Sequence, residues 1–258
     1  MKKAYFLPII IVALIILFKR GNSLEQRIVK EKVPKSVAII MDGNRRWGSK
    51  NNLTVAEAHY QGAKNVEKIL KAALRIGIKE ITIFAFSNEN WKRSKEEINS
   101  LMSLFERFLK ESRPDLLKNR AKVKFLGRLG AFSKKLRDEI TKIEKETADG
   151  IYKLNICLNY GGRTEILDAV NKIVEDNIEN IDEETFKGYL YSKEMSDPDL
   201  IIRTGGEYRV SNFLLWQLAY SELYFSTRYW PDFNENDFFK AILEFQRRKR
   251  TFGGDYAK

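Results

Sequence analysis

The 258-residue chain carries a single cysteine, Cys157, and a single histidine, His59. One thiol excludes an intramolecular disulfide and leaves too little sulfur for a zinc cluster, which suits a reducing compartment. One Cys with one His is a poor basis for a thiol nucleophile, and no Ser or Cys stands in a nucleophile elbow. Neither GxxxxGK[ST] nor GxGxxG occurs, so no P-loop and no dinucleotide fingerprint is present. Proline is scarce at 5 residues, with no Gly/Ser-rich linker and no repeat of solenoid period. A chain of this length without a tether reads as one α/β domain plus an N-terminal extension. With nucleophiles and nucleotide loops absent, the chemistry has to rest on electrostatics.

Positive charge is what the chain has in excess. Lys and Arg total 46 against 35 Asp and Glu, a formal net charge of +11. That balance suits nucleic acid, an acidic membrane face or phosphorylated substrates, and does not choose among them. Ala4 to Phe18 is uninterrupted apolar sequence between Lys2, Lys3 and Lys19, Arg20. At about 1.5 Å per residue it is shorter than the ~30 Å hydrocarbon core, so spanning would require thinning or snorkelling by the flanking cations. A secretory signal is the rival reading, but KRGNSLEQR offers no small-x-small cleavage site. We read residues 1–20 as a membrane anchor, 21–32 as a linker and 33–258 as the catalytic domain. The excess of Lys and Arg after the apolar segment puts that domain on the cytoplasmic side.

Apolar runs of strand length recur between helical patterns. They are Val37 to Met41, Glu80 to Phe86, Lys122 to Gly127, Leu154 to Asn159, Leu200 to Arg203 and Glu222 to Phe225. Helical spacing connects Val66, Ile69, Leu70, Ala73 and Leu74, and again Ile166, Ala169, Val170 and Ile173. Strands alternating with helices argue an open, mainly parallel sheet surrounded by helices. The stripe Ile98 to Leu109, with Met102 and two Phe, fits either a core face or the wall of a hollow.

Polar clusters fall at or after the strand ends, where a parallel sheet would gather them on one rim. The first is Asp42, Gly43, Asn44, Arg45, Arg46, Trp47. An Asp can hold magnesium through one carboxylate while phosphates supply further oxygens, and paired arginines grip phosphate in forked hydrogen bonds. The competing reading is an ordinary Asp-Gly turn before a solvated basic helix. Ser87, Asn88, Glu89, Asn90, Trp91, Lys92 and Arg93 follow the second strand, and Asn159 to Arg163 the fourth. The cluster Arg203, Thr204, Gly205, Gly206, Glu207, Tyr208, Arg209, Val210, Ser211, Asn212 follows the fifth strand; Arg203 and Arg209 bracket its Gly-Gly turn and, with backbone amides and the Ser211 hydroxyl, suit a phosphate, or else form an N-cap with surface arginines. Glu222, Trp230 and Asp232 complete the set. His59 is either structural or a donor to a leaving oxyanion.

The motifs VAIIMDGNRRW, FAFSNENWKR, LNYGGR, IIRTGGEYRVSNFLLWQ, ELYF and WPDF, from about Val33 to Gly254, closely resemble the cis-prenyltransferases, the undecaprenyl diphosphate synthase family. The resemblance implies a homodimer whose subunit has a six-stranded parallel sheet and a hydrophobic tunnel for the growing chain. It implies Mg2+ held by Asp42 on the allylic diphosphate, with Glu222 as a second metal-associated carboxylate. Gly43, Asn44, Arg45, Arg46, Trp47 and His59 then match contacts to that diphosphate. Asn90 matches a position assigned to proton abstraction, although an amide is a feeble base. Ser87, Asn88, Glu89, Trp91 and Arg93 match a loop that closes over substrate, and Arg203, Arg209, Val210 and Ser211 the isopentenyl diphosphate site. Two positions depart from the pattern: Val55 replaces a phosphate-contacting arginine common in bacterial relatives, and Tyr208 replaces a histidine near the metal in some members.

The implied activity adds isopentenyl diphosphate units to farnesyl or geranylgeranyl diphosphate, giving a long polyprenyl diphosphate for a glycosyl carrier lipid. A trans-prenyltransferase is disfavoured because no DDxxD pair occurs. A non-catalytic isoprenoid-binding subunit of the same fold would be expected to have lost Asp42, Arg203 and Arg209, which this chain retains. A basic nucleic-acid binder would need neither magnesium nor diphosphate, and no nucleic-acid partner is expected.

Overall fold

Six apolar runs pair edge to edge as parallel strands in the computed structural model, which describes residues 23–254. They are β1 (Ser36–Ile40), β2 (Glu80–Ser87), β3 (Ala121–Leu126), β4 (Tyr152–Tyr160), β5 (Leu200–Arg203) and β6 (Glu222–Phe225). Their order is β3-β4-β2-β1-β5-β6, and every adjacent pair is parallel. β4 is longer than its apolar pattern suggests because it is paired on both sides, by β2 and β3. Residues 1–22 and 255–258 lie outside the described residues, and with them the expected anchor. Among the described residues no helix is long and apolar enough to cross a membrane.

Seven α-helices cover the sheet among the described residues: α1 (Asn44–Lys50), α2 (Val55–Arg75), α3 (Lys95–Lys118), α4 (Lys134–Glu146), α5 (Gly162–Glu175), α6 (Glu183–Tyr189) and α7 (Glu235–Arg247). α2 begins with a capping box: Thr54 Oγ1 accepts from the Glu57 amide at 3.2 Å and Glu57 Oε2 accepts from the Thr54 amide at 2.8 Å. Its apolar stripe, Val66, Ile69 and Ala73, packs into a core shared with Val37, Ile39, Ile81 and Ile83 of the sheet. Ser94 caps α3, which runs on through Pro114 to Lys118, well past the stripe ending at Leu109.

On α3 both readings of that stripe hold. Leu101 and Leu109 are buried in the core, while Leu104, Phe105 and Phe108 line a hollow between helix and sheet. On α5 the helical spacing misleads: Ala169 and Ile173 are buried, but Val170 is 42% exposed, in line with Leu167 and Val174 on a bare apolar stripe.

The chain leaves β1 to build β2, β3 and β4 on one side, then returns through β5 to the other side of β1. The strand order therefore reverses between β1 and β5. A crevice opens beyond the carboxyl ends of strands at such a switch point. Residue 42 follows β1 there, and Arg203 ends β5 beside it, paired in register with Ile40.

Candidate active site

Gly43 turns the chain into α1 with φ of +105°, and a Cβ there would lie 2.7 Å from the Tyr229 ring. Only glycine takes that backbone without strain, so Asp42 is delivered to the crevice by a turn no other residue could make cheaply. Across from it, Gly205 has φ of +90° and a Cβ would meet Arg46 Nη2 at 2.8 Å. Two loops thus approach at backbone distance.

Asp42 and Arg203, 161 residues apart in sequence, meet there: Arg203 Nη2 donates to Asp42 Oδ2 at 2.8 Å. The Arg203 side chain is 5% exposed and the Asp42 side chain 28%. Arg203 Nη1 also donates to Ser211 Oγ at 2.7 Å and to the Arg209 carbonyl at 2.5 Å, while its buried Nε has no hydrogen-bond partner among the described residues. Arg46 reaches Asp42 Oδ1 at 3.1 Å from the other side. Burial pushes the Asp42 carboxyl up, but the hydrogen bond and charge of Arg203, with Arg46, outweigh it and hold the group below its ordinary 3.8. At neutral pH it is a carboxylate.

A second carboxylate fills the other half of the cationic cradle. Glu207 accepts from Arg46 Nη1 at 3.1 Å and from Arg209 Nη1 at 2.5 Å. Arg45 is mostly exposed and stands 3.9 Å from Glu97, which also pairs with Arg93 at 3.0 Å. Four guanidinium groups, Arg45, Arg46, Arg93 and Arg203, therefore line one cavity mouth.

His59 lies on the same wall, and its Nδ1 donates to the Val55 carbonyl at 2.7 Å. Burial lowers its pKa below the ordinary 6.5, against the opposing pull of that hydrogen bond, so the ring is neutral at pH 7. With Nδ1–H committed, the neutral ring presents Nε2 only as an acceptor, and donation to an oxyanion requires the imidazolium. Asn90 is constrained in a similar way: its Oδ1 accepts from the Ser87 amide at 3.0 Å. Its remaining amide group is an NH2 donor, which is not a base. Asn44 Nδ2 donates back to the Met41 carbonyl at 3.0 Å and so braces the Asp42 turn.

Behind the charged mouth the cavity is apolar. Mouth and hollow together hold about 1160 Å³, the hollow being walled by Val66, Ile83, Leu104, Phe105, Phe108 and Leu158. Ordinary small-molecule pockets hold roughly 300–1,000 Å³, so this one suits a long apolar chain. Phe108, Leu109 and Ile156 also line a second apolar hollow of about 70 Å³ between α2, α3 and the start of β4.

Asp42, Gly43, Asn44, Arg45, Arg46, His59, Ser87, Glu89, Asn90, Arg93, Arg203 and Ser211 all line the cavity. Others stand behind it. Trp47 Nε1 donates to Asp232 at 2.8 Å, Asn88 Nδ2 to Thr164 at 2.6 Å, and Trp91 Nε1 to Asn159 at 2.8 Å. Arg209 is turned to Glu207, and the Val210 carbonyl accepts from the Phe213 amide. Tyr208 is 73% exposed.

Glu222 is not brought to the site. It opens β6 beside Leu200, at the amino end of the parallel sheet, whereas Asp42 lies beyond the carboxyl ends. Its carboxylate pairs with Arg248 at 2.8 Å. Within one chain it does not join Asp42 as a metal ligand, and strand direction is the reason. Conversely, sequence reasoning gave Glu207 and Asn212 no role of their own and passed over Tyr229. Glu207 and Asn212 were visible as members of the Arg203 cluster; nothing in the sequence signals Tyr229, whose ring lies 5.3 Å from the Arg46 guanidinium.

Among the described residues no three His, Cys, Asp or Glu side chains gather into a metal cage. Asp42 is a single ionised carboxylate at an open mouth. That donor set fits an ion that keeps its waters and takes most oxygens from a phosphate, which is magnesium's habit rather than zinc's.

Comparison with known proteins agrees with this geometry. Residues 40–253 match the family model described as putative undecaprenyl diphosphate synthase. An isoprenyl transferase of Fusobacterium nucleatum is 48% identical over 227 residues, 88% of this chain and 98% of that protein. A tritrans,polycis-undecaprenyl-diphosphate synthase (geranylgeranyl-diphosphate specific) of Pyrococcus abyssi is 46% identical over 252 residues, 92% of this chain and 96% of that protein. Among solved structures, lavandulyl diphosphate synthase from Lavandula x intermedia, in complex with dimethylallyl diphosphate, superposes with a TM-score of 0.83 at 36% identity, covering 86% of this chain and 99% of that one. A family model spanning most of the chain, relatives matched nearly end to end and a shared fold agree: the chain belongs to the undecaprenyl diphosphate synthase family of prenyltransferases.

Proposed function

We propose that this prenyltransferase condenses isopentenyl diphosphate with an allylic diphosphate primer, farnesyl or geranylgeranyl diphosphate, and repeats the addition to give a long cis-polyprenyl diphosphate. The observation that carries this reading is the 2.8 Å contact between Asp42 and Arg203 at the mouth of a cavity of about 1160 Å³ whose inner wall is apolar. Diphosphates belong at the charged end and isoprenoid chain in the hollow.

In this reading Arg203 and Ser211, with Arg209 behind them, hold isopentenyl diphosphate. Arg45, Arg46, the Gly43–Asn44 turn and a protonated His59 hold the primer diphosphate. Asp42 would hold magnesium together with phosphate oxygens and water, and the ion would neutralise charge developing on the departing diphosphate. The guanidinium groups donate to the same oxygens, so the C–O bond of the primer ionises in a site already arranged for the anion. The isopentenyl alkene attacks the allylic carbon, and a proton leaves the resulting cation. Asn90 is too weak a base to take it, and its amide oxygen already accepts from the Ser87 amide; in this reading the proton goes to a phosphate oxygen that the Asn90 NH2 orients. The apolar wall excludes water from the cation and receives the lengthening chain.

Two further parts of the reading rest on sequence and surface. The bare stripe of Leu167, Val170 and Val174 on α5, and β6 as a sheet edge, support a homodimer. The apolar sequence 4–18 supports attachment to the cytoplasmic face of a membrane. Val55 in place of arginine leaves the primer one cation fewer, which supports a primer grip different from that of arginine-bearing relatives.

The test is incubation of purified protein with labelled isopentenyl diphosphate and each primer, with and without magnesium, followed by sizing of the products. A magnesium-dependent ladder of polyprenyl diphosphates is expected. Absence of incorporation with every primer would overturn the reading.

A further inference from the structure

Asn212 is the next residue after Ser211, and both adopt left-handed backbone, with φ of 49° and 64°. Asn tolerates that conformation better than other non-glycine residues, so the position is specified on conformational grounds alone. Both ends of its side-chain amide and its carbonyl are also engaged. Nδ2 donates to Glu89 Oε1 at 2.9 Å, Oδ1 accepts from the Arg163 amide at 2.9 Å, and its carbonyl accepts from the Gly162 amide at 2.7 Å. One residue of the turn that carries Ser211 therefore touches both the start of α5 and the 3-10 turn Asn88–Lys92.

Three side-chain hydrogen bonds tie that turn to other elements: Asn88 to Thr164, Trp91 to Asn159, and Glu89 to Asn212. The first two tie it to α5 and to the end of β4. Only the third, of these contacts, ties it to the segment that supplies Arg203 with its Ser211 and Arg209 partners. Glu89 faces the cavity, and its acidity reports the contact. Burial pushes its carboxyl up, yet the Asn212 hydrogen bond leads the groups that hold it below the ordinary value.

We infer that Asn212 is a positioning residue, a latch between the Asn90-bearing turn and the isopentenyl diphosphate cradle. The latch rests on the reading of Arg203 and Ser211 as that cradle. An anion that draws Ser211 and Arg203 together pulls on Asn212, and through Glu89 it seats the turn that presents Asn90 to the reacting end. Occupancy of one half of the site is thereby coupled to closure of the other.

Asn212→Asp isolates the contact. The aspartate keeps the size, the left-handed tolerance and the oxygen that accepts from Arg163, and it turns only the donor toward Glu89 into an acceptor. Two carboxylates then face each other. Adding Glu89→Gln restores a donor with reversed polarity, so the double variant re-forms the latch. Two measurements read it. Amide hydrogen exchange over residues 88–92 in the substrate-free protein should quicken about tenfold in Asn212→Asp, the equivalent of one charged hydrogen bond of ~1.4 kcal/mol, and return toward wild type in the double variant. The isopentenyl diphosphate KM should rise by a similar factor and be rescued in parallel, with primer KM changing much less. Asn212→Ala, which adds no charge, should reproduce the exchange result, separating loss of the latch from repulsion of substrate. Unchanged exchange in Asn212→Asp and Asn212→Ala, or failure of Glu89→Gln to restore either readout, would overturn the latch. The exchange arm needs no substrate, so it stands or falls separately from the proposed reaction.

Discussion

Replacing Asp42 with Asn tests the charge at the centre of the site while leaving its shape. The amide oxygen can still accept one N–H from Arg203, so the 2.8 Å contact survives as a weaker, half-neutral hydrogen bond. What is lost is the negative charge shared by Arg203 and Arg46. A hydrogen bond to a charged partner contributes roughly 1.5–3 kcal/mol against about 1 for a neutral one, and the partial exposure of Asp42 trims the difference. A net loss of about 1–3 kcal/mol follows, or roughly 3–10 °C in Tm for a domain of this size. The fold survives, because Arg203 keeps Ser211 and the Arg209 carbonyl. The pH dependence carries a sign. The Asp42 pKa is lowered in the fold, so its stabilisation is present above the ordinary 3.8 and is lost as pH falls through the folded value. The gap in Tm between wild type and Asp42→Asn should therefore close in acid. Turnover should fall further than stability does: without the carboxylate tether, loss of several kcal/mol of transition-state stabilisation lowers kcat/KM by about a thousandfold. Thermal melts from pH 7 to pH 2 and magnesium titrations of primer binding measure both effects. A variant retaining magnesium-dependent primer binding and a tenth of wild-type turnover would refute the argument.

Arg203→Ala should raise the KM for isopentenyl diphosphate by about a hundredfold, two charged hydrogen bonds' worth, with primer KM nearly unchanged; steady-state kinetics in each substrate checks the split. Wild-type primer affinity should increase as pH falls from 8 to 6, because only the imidazolium form of His59 offers an N–H once Nδ1 is bound to Val55, and His59→Gln should flatten that profile in calorimetric titrations. Phe108→Ala should join the main cavity to the smaller hollow beyond it and shift products to longer chains, read by chromatography of the dephosphorylated alcohols. Deleting residues 1–20 should release active enzyme from membrane fractions; full-length protein already in the soluble fraction would contradict the anchor.

Much of the fold is legible because buried parallel strands are short apolar runs, and their ends are marked by abrupt polarity. Val37 to Met41 ending at Asp42 is the clearest case. Strand direction was equally available, and it argues against grouping Glu222 with the carboxyl rim, since Glu222 begins its strand. What periodicity could not show is which apolar face stays bare: Val170 shares a spacing with Ala169 and Ile173 but not their burial. Protonation roles were equally out of reach. That Asn90 presents a donor, and neutral His59 an acceptor, depends on Ser87 and Val55 backbone groups whose approach only the folded turns define.

Glu207 and Asp42 give the cradle a property that composition hides. A protein with a formal charge of +11 and four arginines at one mouth would ordinarily soak up inorganic phosphate, nucleotides and any other abundant cellular anion. Here the guanidinium groups already hold three internal counter-ions: Asp42 at 2.8 and 3.1 Å from Arg203 and Arg46, Glu207 at 3.1 and 2.5 Å from Arg46 and Arg209, and Glu97 at 3.9 and 3.0 Å from Arg45 and Arg93. An incoming anion must displace or share them, which a lone phosphate does at a loss. A ligand that brings two phosphates and a greasy tail recovers that loss in the hollow, so the built-in acids act as a filter that turns crude attraction into discrimination.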